Sequence, residues 1–318
     1  MAQPSQDDRI PQTADRPDAP GSPRDLPRTS WTTALKATIA AMRKDRVPLV
    51  AAGMGFYWFL SVFPLLIAAI GIIALAHVGS SMVTTINDAI HTALPGEAAG
   101  VLTTAVSRAQ TQTGGGLAAL VVSVLVAVWS ASSGMAAMQE GLDVAYGQES
   151  RKFLKKRLVG IVLILATLVL GGLAMALIVF GTPLGVWVLD HVPDGHSLVW
   201  AWTVVRWVLA IPVIMALFGL FYRLGPNRPQ PAASWLSPGA IVGAGIWVAV
   251  SLGFSFYISN FGGSYGDTYG ALAGVVLLLL WLYLTAIAVL LGGELNGELE
   301  RQRARRMGIR AAPDAPAA

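Results

Sequence analysis

The sequence predicts an all-α fold, a polytopic membrane helix bundle with six transmembrane helices, an N-terminal amphipathic helix and an outer-face helical hairpin. The first observation is composition: the chain is 54% hydrophobic and only 13% charged, whereas soluble proteins carry about 25% charged residues. The second is a series of six apolar segments, and the third is that basic residues occur in every second loop between them. Together these observations indicate an integral membrane protein whose first partner is the lipid bilayer.

The two ends of the chain have the composition of disordered tails. Residues 1–30 are rich in Pro, Asp, Arg and Gln, and residues 301–318 are first basic and then rich in Ala and Pro. Such segments cannot bury enough apolar surface to offset the entropy lost on ordering. The membrane domain is therefore expected to occupy residues 31–300. The chain contains no cysteine, which excludes disulfides, thiolate metal sites and cysteine nucleophiles.

A short amphipathic helix is predicted between the N-terminal tail and the first span. Trp31, Leu35, Ile39 and Met42 recur at helical spacing, and the basic side chains of this segment lie elsewhere around the helix. This pattern is typical of a helix that lies in the plane of the membrane interface. A helix that packs on the protein itself is the alternative, and both interpretations stay open.

Six apolar segments follow, and each is long enough to cross the bilayer as a helix. The predicted spans are residues 49–76, 117–139, 158–180, 198–222, 235–258 and 270–293.

Glycines at four-residue spacing mark helix faces without side chains. Gly266, Gly270 and Gly274 form such a series at the start of the sixth span, and Gly239 and Gly243 form another in the fifth. A face of this kind lets a second membrane helix approach closely. These five glycines are therefore predicted to be helix-packing residues.

The loops between the spans predict the orientation of the chain. Lys and Arg cluster before the first span, between the second and third, between the fourth and fifth, and after the sixth. The intervening loops contain Arg108 as their single basic residue. Because basic loops stay on the cytoplasmic side, this alternation predicts that both termini are cytoplasmic.

The longest outer loop, residues 77–116, is predicted to form a helical hairpin. Apolar residues recur there at helical spacing before a break at Pro95-Gly96, and three glycines at 114–116 provide a hinge. The hairpin is either a cap on the bundle or a lid over a cavity.

Several motifs follow one another in a fixed order between Trp31 and Arg301. They are Phe56-Tyr57-Trp58-Phe59, Trp129-Ser130-Ala131-Ser132-Ser133-Gly134, Tyr222-Arg223, Pro238-Gly239-Ala240, Trp281-Leu282-Tyr283 and Gly292-Gly293-Glu294-Leu295-Asn296. In these motifs the chain resembles the YihY/BrkB family of bacterial inner-membrane proteins. It departs from the family at Gly141-Leu142-Asp143, where relatives more often carry Ala-Leu-Asn. The resemblance implies a multi-pass protein of the inner membrane with a poorly defined activity, in a family once labelled ribonuclease BN.

The residues give no support to that older label. A metal-dependent nuclease needs clustered His and Asp ligands, but all 4 histidines lie in predicted outer loops, away from cytoplasmic RNA. The basic loops also lack an aromatic platform for bases, and no nucleotide-binding or cofactor motif occurs. We therefore expect no enzyme activity, no cofactor and no nucleic-acid partner.

One outer loop carries a weak metal-like pattern. Asp190, His191, Asp194 and His196 lie within seven residues of one another. They either bind a divalent ion or form a polar turn that faces water, so no metal site is predicted from them.

Polar residues at membrane depth are better candidates for a functional site. Arg206 lies inside the fourth span, where an arginine costs about 2.5–3.5 kcal/mol at the membrane centre. It either extends its side chain to the outer surface or faces a wet cavity. Ser61, Ser130, Ser132 and Ser133 either line such a cavity or make hydrogen bonds between packed helices.

The inner ends of the spans carry a second set of candidates. Glu294, Glu140 and Arg223 are all predicted to lie near the cytoplasmic interface. Because two glycines precede it, Glu294 is expected to face protein and to pair with a basic residue, with Arg223 the first choice. The alternative is a carboxylate solvated at the interface.

Two classes of function remain open. The first is a transport or lipid-handling protein with a cavity between the spans and a lipid or small-molecule substrate. The second is a non-catalytic scaffold that docks partners through its tails or its outer hairpin. A transporter predicts a cavity lined by Arg206 and the span serines, whereas a scaffold predicts a close-packed bundle. The sequence leaves the oligomeric state open.

Overall fold

The computed structural model shows an all-helical protein over the ranges it describes. These ranges are residues 28–75, 116–180, 199–228, 237–269 and 272–306. Within them the chain forms seven helices and no strand: α1 (Arg28–Lys44), α2 (Val47–Leu75), α3 (Gly116–Ala145), α4 (residues 153–180), α5 (Val199–Leu224), α6 (Pro238–Tyr269) and α7 (Ala273–Arg306). The predicted all-α class is confirmed.

Four of these helices are long and apolar enough to cross a membrane. The candidate spans are Phe153–Ile178, Val204–Leu224, Pro238–Asn260 and Ala273–Gln302. Helices α2 and α3 cover the first two predicted spans and contain 29 and 30 residues. The protein is therefore a helical integral membrane protein, whereas the count of six spans stays a prediction.

Several predicted segments fall wholly or mainly outside the described residues. The predicted outer hairpin lies outside the described residues except for Gly116, where α3 begins. The two tails are described only next to the membrane domain, where the chain is helical from Arg28 and again as far as Arg306. The C-terminal extension of α7 is held in part by Arg301, whose Nη2 donates to the carbonyl of Ala145 at 3.3 Å. Helix therefore replaces the first six residues of the predicted C-terminal tail.

The fourth helix is irregular. It is α-helical at Phe153–Ala166 and Gly172–Met175, and π-helical at Thr167–Gly171 and Ala176–Phe180. It packs along α5. Two π-helical turns in one helix are unusual, and such turns occur frequently at functional sites.

The chain divides into two compact units. Unit 1 consists of Met1–Pro48, Gln139–Trp247 and Ala288–Ala318. Unit 2 consists of Leu49–Met138 and Val248–Ile287. Unit 1 thus contains α1, α4 and α5, and the four other helices contribute residues to both units.

Within unit 2, α2 packs closely against α3 and α7 through two glycines. A Cβ atom at Gly55 would lie 3.1 Å from the backbone nitrogen of Tyr283. The side chain of Trp58 donates from Nε1 to the carbonyl of Gly134 at 3.1 Å. A Cβ atom at Gly134 would lie 2.8 Å from Oγ of Ser61. An added Cβ would be tightly packed at Gly55, and at Gly134 it would require the Ser61 hydroxyl to move.

Within unit 1, α1 packs on α7 through a stripe of small side chains. Ala34, Thr38 and Ala41 are buried, and Ala34 forms an apolar cluster with Leu295 and Leu299. The hydroxyl of Thr38 donates to the carbonyl of Ala34 at 2.9 Å, which satisfies it within its own helix. The alternative prediction, that α1 packs on the protein itself, is therefore correct for the helix face that carries these small side chains.

Candidate functional site

A cluster of polar and charged side chains lies inside unit 1, at the ends of several helices and in the segments that join them. We call it the polar cluster. Its members are Gln139, Asp143, Tyr146, Arg151, Asn227, Arg228, Glu294, Asn296, Glu300 and Arg301.

The base of this cluster is a close approach of α5, α6 and α7. The hydroxyl of Tyr222 donates to the carbonyl of Val289 at 2.9 Å. A Cβ atom at Gly239 would lie 2.1 Å from the carbonyl oxygen of Gly292, and one at Gly243 would lie 2.5 Å from the Tyr222 hydroxyl. The structure thus places Gly239 and Gly243 where α6 leaves no room for a side chain.

The first turn of α6 is capped by a side chain from α7. The first N–H groups of a helix have no acceptor within the helix. The N–H of Gly239 donates to Oδ1 of Asn296 at 2.8 Å, and Nδ2 of Asn296 donates to Oγ of Ser237 at 2.8 Å. Ser237 also accepts from the N–H of Ala240 at 3.3 Å, which is the usual bond of an N-cap serine. Asn296 therefore fixes the start of α6 against α7.

Asp143 joins α3 to the segment that follows α5. Its carboxylate accepts from the N–H of Asn227 at 2.6 Å and from the hydroxyl of Ser150 at 3.3 Å. Burial raises the pKa of Asp143 to about 6, against the opposing effects of the Asn227 bond and of Arg151 and Lys156. An asparagine carbonyl at this position would accept the same bond from the N–H of Asn227.

Arg151 connects the same two segments from the other side. It donates to the carbonyl of Gly225, to the carbonyl of Pro226 at 2.5 Å, and to Oε1 of Gln139 at 3.2 Å. Gln139 in turn donates to the carbonyl of Lys156 at 3.0 Å. One arginine thus donates to two successive carbonyls of the segment after α5, and the second of them also accepts from the N–H of Arg228 at 3.0 Å.

Arg228 and Glu300 form a partly buried ion pair next to an aromatic ring. Nη1 of Arg228 lies 2.5 and 2.6 Å from the two carboxylate oxygens of Glu300. The guanidinium carbon lies 4.5 Å from the ring centroid of Tyr146, within cation–π range. Burial raises the pKa of Tyr146, so its phenol stays protonated at physiological pH.

Glu294 lies in the polar cluster but is not paired as expected. Its side chain is 0% exposed. In the described ranges no basic or amide group donates to its carboxylate oxygens, and the side chain that meets it is the carboxyl group of Asp45. The charged groups that act on it are Asp45, Arg301 and Glu298. The predicted Glu294–Arg223 pair is therefore wrong, because the basic group that acts on Glu294 comes from the next two turns of its own helix.

The other two interface candidates have peripheral positions. Glu140 is 61% exposed and forms an ion pair with Lys156. Lys156 itself is buried, but solvent screens the pair on the Glu140 side, and solvent-exposed pairs contribute about 0–1 kcal/mol. Arg223 is half-buried in the last turn of α5.

Arg206 lies on α5 within a candidate span. It is half-buried, and its Nη1 donates to the carbonyl of Ile178 on α4 at 3.4 Å. The carbonyl belongs to the π-helical turn Ala176–Phe180. Its neighbours Val205 and Val208 are exposed apolar residues.

The candidate serines belong to unit 2 and not to the unit that contains Arg206. Ser61 and Ser132 are buried, and each donates to a carbonyl about one turn earlier in its own helix, at 2.8 and 2.6 Å. Ser133 is half-buried, and the side chain of Ser130 lies outside the described part of the chain.

The remaining glycine and metal candidates contribute little to the site. Gly274 is exposed on α7. The surroundings of Gly266, Gly270 itself and the segment Asp190–His196 lie outside the described residues. In the ranges described, no group of three or more His, Cys, Asp or Glu side chains could hold a metal ion.

Most of the polar cluster was missed by sequence reasoning. Asp143, Asn227, Arg228, Asn296 and Glu300 were not predicted as site residues. A usable signal existed, because each lies within seven residues of the C-terminal end of a predicted span.

Comparisons with known proteins agree with that resemblance. The model of a family described as virulence factor BrkB matches residues 38–316. The chain is 31% identical over 212 residues to the ribonuclease-like protein YfkH of Bacillus subtilis (strain 168), an alignment that covers 66% of this chain and 75% of the relative. No solved structure matches the chain. From the extent of the family match and the helical membrane fold, we conclude that the chain belongs to the virulence factor BrkB family.

Proposed function

We propose that this chain is a lipid-handling protein of the bacterial inner membrane, with six spans and cytoplasmic termini, that binds the anionic headgroup of a lipid beside Arg206. Membership of the BrkB family and four candidate spans support a multi-pass membrane protein. The alternation of basic loops supports the span number and the orientation.

The single observation that carries the proposal is the environment of Arg206. A charged side chain at membrane depth is costly and commonly marks a substrate pathway. The residues beside it on α5, Val205, Val208 and Leu209, are exposed and apolar. A ligand that satisfies both features has an anionic group for the guanidinium and hydrocarbon chains for the surface around it. A phospholipid has both, whereas a water-soluble anion has only the first.

The contact of Arg206 with α4 is compatible with such a ligand. A guanidinium has five N–H donors in a planar arrangement, so it can hold the Ile178 carbonyl and also donate to a phosphate. The carbonyl lies in a π-helical turn, and turns of this kind recur at binding sites.

A second candidate function is the non-catalytic scaffold, and one observation favours it. The close contacts at Gly239 and Gly55, and the serines that bond within their own helices, are features of a close-packed bundle. A scaffold of this kind would bind no lipid selectively at Arg206.

Lipid crosslinking distinguishes the two functions. The purified chain is reconstituted with photoactivatable phosphatidylglycerol or phosphatidylcholine, and the crosslinked peptides are mapped. We expect the anionic lipid to label α4 and α5, and labelling to fall about tenfold or more in Arg206→Gln. Arg206→Lys should keep part of the labelling because the charge remains.

The matched control is Arg157→Gln, which removes one positive charge from α4 outside the predicted spans. It should leave the labelling unchanged. Equal labelling by both lipids that Arg206→Gln does not reduce would reject lipid binding at Arg206 and leave the scaffold as the better reading. Lipid movement across liposomes, measured by quenching of a fluorescent lipid, then tests whether a bound lipid is also moved.

A further inference from the structure

Helix α1 presents a second surface that the described part of the protein does not cover. Its small residues pack on α7, as described above, but two larger apolar residues of the predicted stripe do not pack there. Leu35 is 56% exposed and Ile39 is 55% exposed, and the two are one turn apart. The packing stripe and the exposed apolar stripe therefore lie on different faces of one helix.

Basic side chains border the exposed stripe. Lys36 and Arg43 are exposed, and they lie three and four residues from Ile39, so they flank it on the helix surface. The whole of α1 carries four basic residues and no acidic residue. An apolar strip bordered by positive charge is complementary to the boundary between anionic headgroups and acyl chains.

The packing of α1 on α7 places this exposed surface at the depth of the lipid headgroups. The candidate span of α7, Ala273–Gln302, has 30 residues, which is roughly 45 Å of helix against a hydrocarbon core of about 30 Å. Its last third is polar and therefore extends out of the hydrocarbon. Leu295 and Leu299, which contact Ala34 of α1, belong to that third, so α1 lies at the level of the headgroups.

We propose that α1 is a membrane-surface helix that binds anionic phospholipid headgroups through Lys36 and Arg43 while Leu35 and Ile39 enter the acyl boundary. The occupant of the exposed face is a lipid surface and not a second protein, because the face adjoins the membrane by its depth and carries the charge opposite to that of an anionic leaflet. This site is distinct from that at Arg206 and goes beyond the proposed function. Either site could fail its test while the other passes.

The absence of cysteine from the chain makes a direct test possible. Single cysteines are introduced at Leu35, Ile39 and Ala40 of the full chain in lipid nanodiscs, and each is labelled with a fluorophore. Ala40 is the matched control, because it is exposed and adjacent to Ile39 but lies about 100° further around the helix. Quenching by brominated lipids is compared with quenching by aqueous iodide, with phosphatidylglycerol present or absent.

We expect lipid quenching at positions 35 and 39 and aqueous quenching at position 40. In anionic nanodiscs, Lys36→Gln with Arg43→Gln should lower the ratio of lipid to aqueous quenching at position 39 by at least about fivefold, the effect of one basic side chain at an anionic surface. High salt should reduce the difference between anionic and neutral nanodiscs, because it screens exposed charges.

Two results would overturn the proposal. Labels at 35 and 39 that are as accessible to iodide as the label at 40, or shielded from both quenchers, would show that the face is solvated or covered by protein. Lipid quenching that is independent of phosphatidylglycerol and of the two basic residues would show insertion without headgroup recognition. Circular dichroism of each variant verifies that the helical content is unchanged.

Discussion

Replacement of Gly239 by alanine should be among the most destabilising single methyl additions in the described chain. The new Cβ would lie 2.1 Å from the carbonyl oxygen of Gly292 and 2.5 Å from Cγ of Asn296. A carbon and a carbonyl oxygen rarely approach closer than about 3.3 Å, so α6 and α7 would have to separate locally by about 1.2 Å. Backbone lies on one side of the contact, and it cannot move away as the end of a flexible side chain can.

The expected cost has two parts. Overpacking of a filled contact costs about 1–3 kcal/mol. Separation of the helices would also lengthen the bond from the Gly239 N–H to Asn296, which is 2.8 Å in the native protein, and a bond of this kind contributes about 1 kcal/mol. The sum is about 2–4 kcal/mol, a large fraction of the stability of a typical protein.

Gly245→Ala provides the matched control in the same helix. A Cβ atom there has no neighbour within 4 Å, and alanine is favoured over glycine in a helix by about 0.5–1 kcal/mol. Thermal unfolding of the detergent-solubilised protein, followed by size-exclusion chromatography, should show a clear loss for Gly239→Ala and no loss for Gly245→Ala. Equal melting temperatures for the two variants would refute the argument from close approach.

Three further predictions concern charge and orientation. Glu294→Gln should raise the melting temperature, because it removes a buried acidic group that lies beside Asp45 and to which no described basic or amide group donates. Such a group loses about 1–3 kcal/mol of hydrogen bonding to water. The exposed Glu140→Gln is the control, and a lower melting temperature for Glu294→Gln would contradict the reasoning. The pKa of Asp143 is about 6 in the folded protein against an ordinary 3.8, so the folded state binds the proton more tightly and this contribution to stability should fall as pH rises from about 4 to 6. Asp143→Asn should remove that part of the pH dependence of the unfolding free energy. An unchanged pH dependence would exclude Asp143 as its source. In intact cells, a cysteine near Gly195 should react with an impermeant reagent and one near Lys155 should not, and the reverse labelling would reject the proposed orientation.

The all-α class and the approximate positions of the helices followed from the sequence alone. In a bilayer an apolar segment can satisfy its backbone hydrogen bonds only as a helix, or as part of a closed barrel, and the apolar runs here are too long and too continuous for strands. The fourth predicted span, residues 198–222, agrees closely with helix Val199–Leu224. The fifth, residues 235–258, agrees less well with Pro238–Tyr269, because the helix continues through the Gly- and Tyr-rich stretch that follows the predicted span.

The spacing of the glycines predicted which helix face lacks side chains but not which helix packs against it. Gly239 and Gly243 indicated a bare strip on α6, and the structure shows what fills it, namely the backbone at Gly292 and the hydroxyl of Tyr222. A spacing of four residues shows that another helix can come close. It carries no information on which helix does so.

The charged pairs were decided only by the tertiary structure. The sequence placed Glu294 near a basic residue at the end of a span, but it could not tell Arg223 from Arg301. The sequence also could not identify Arg228 as the partner of Glu300, since 72 residues separate them. Which ionisable groups meet depends on the rotation of each helix about its axis and on the path of the connecting loops. Packing sets both of these quantities, whereas local propensity and hydrophobic pattern determine only where each helix begins and ends.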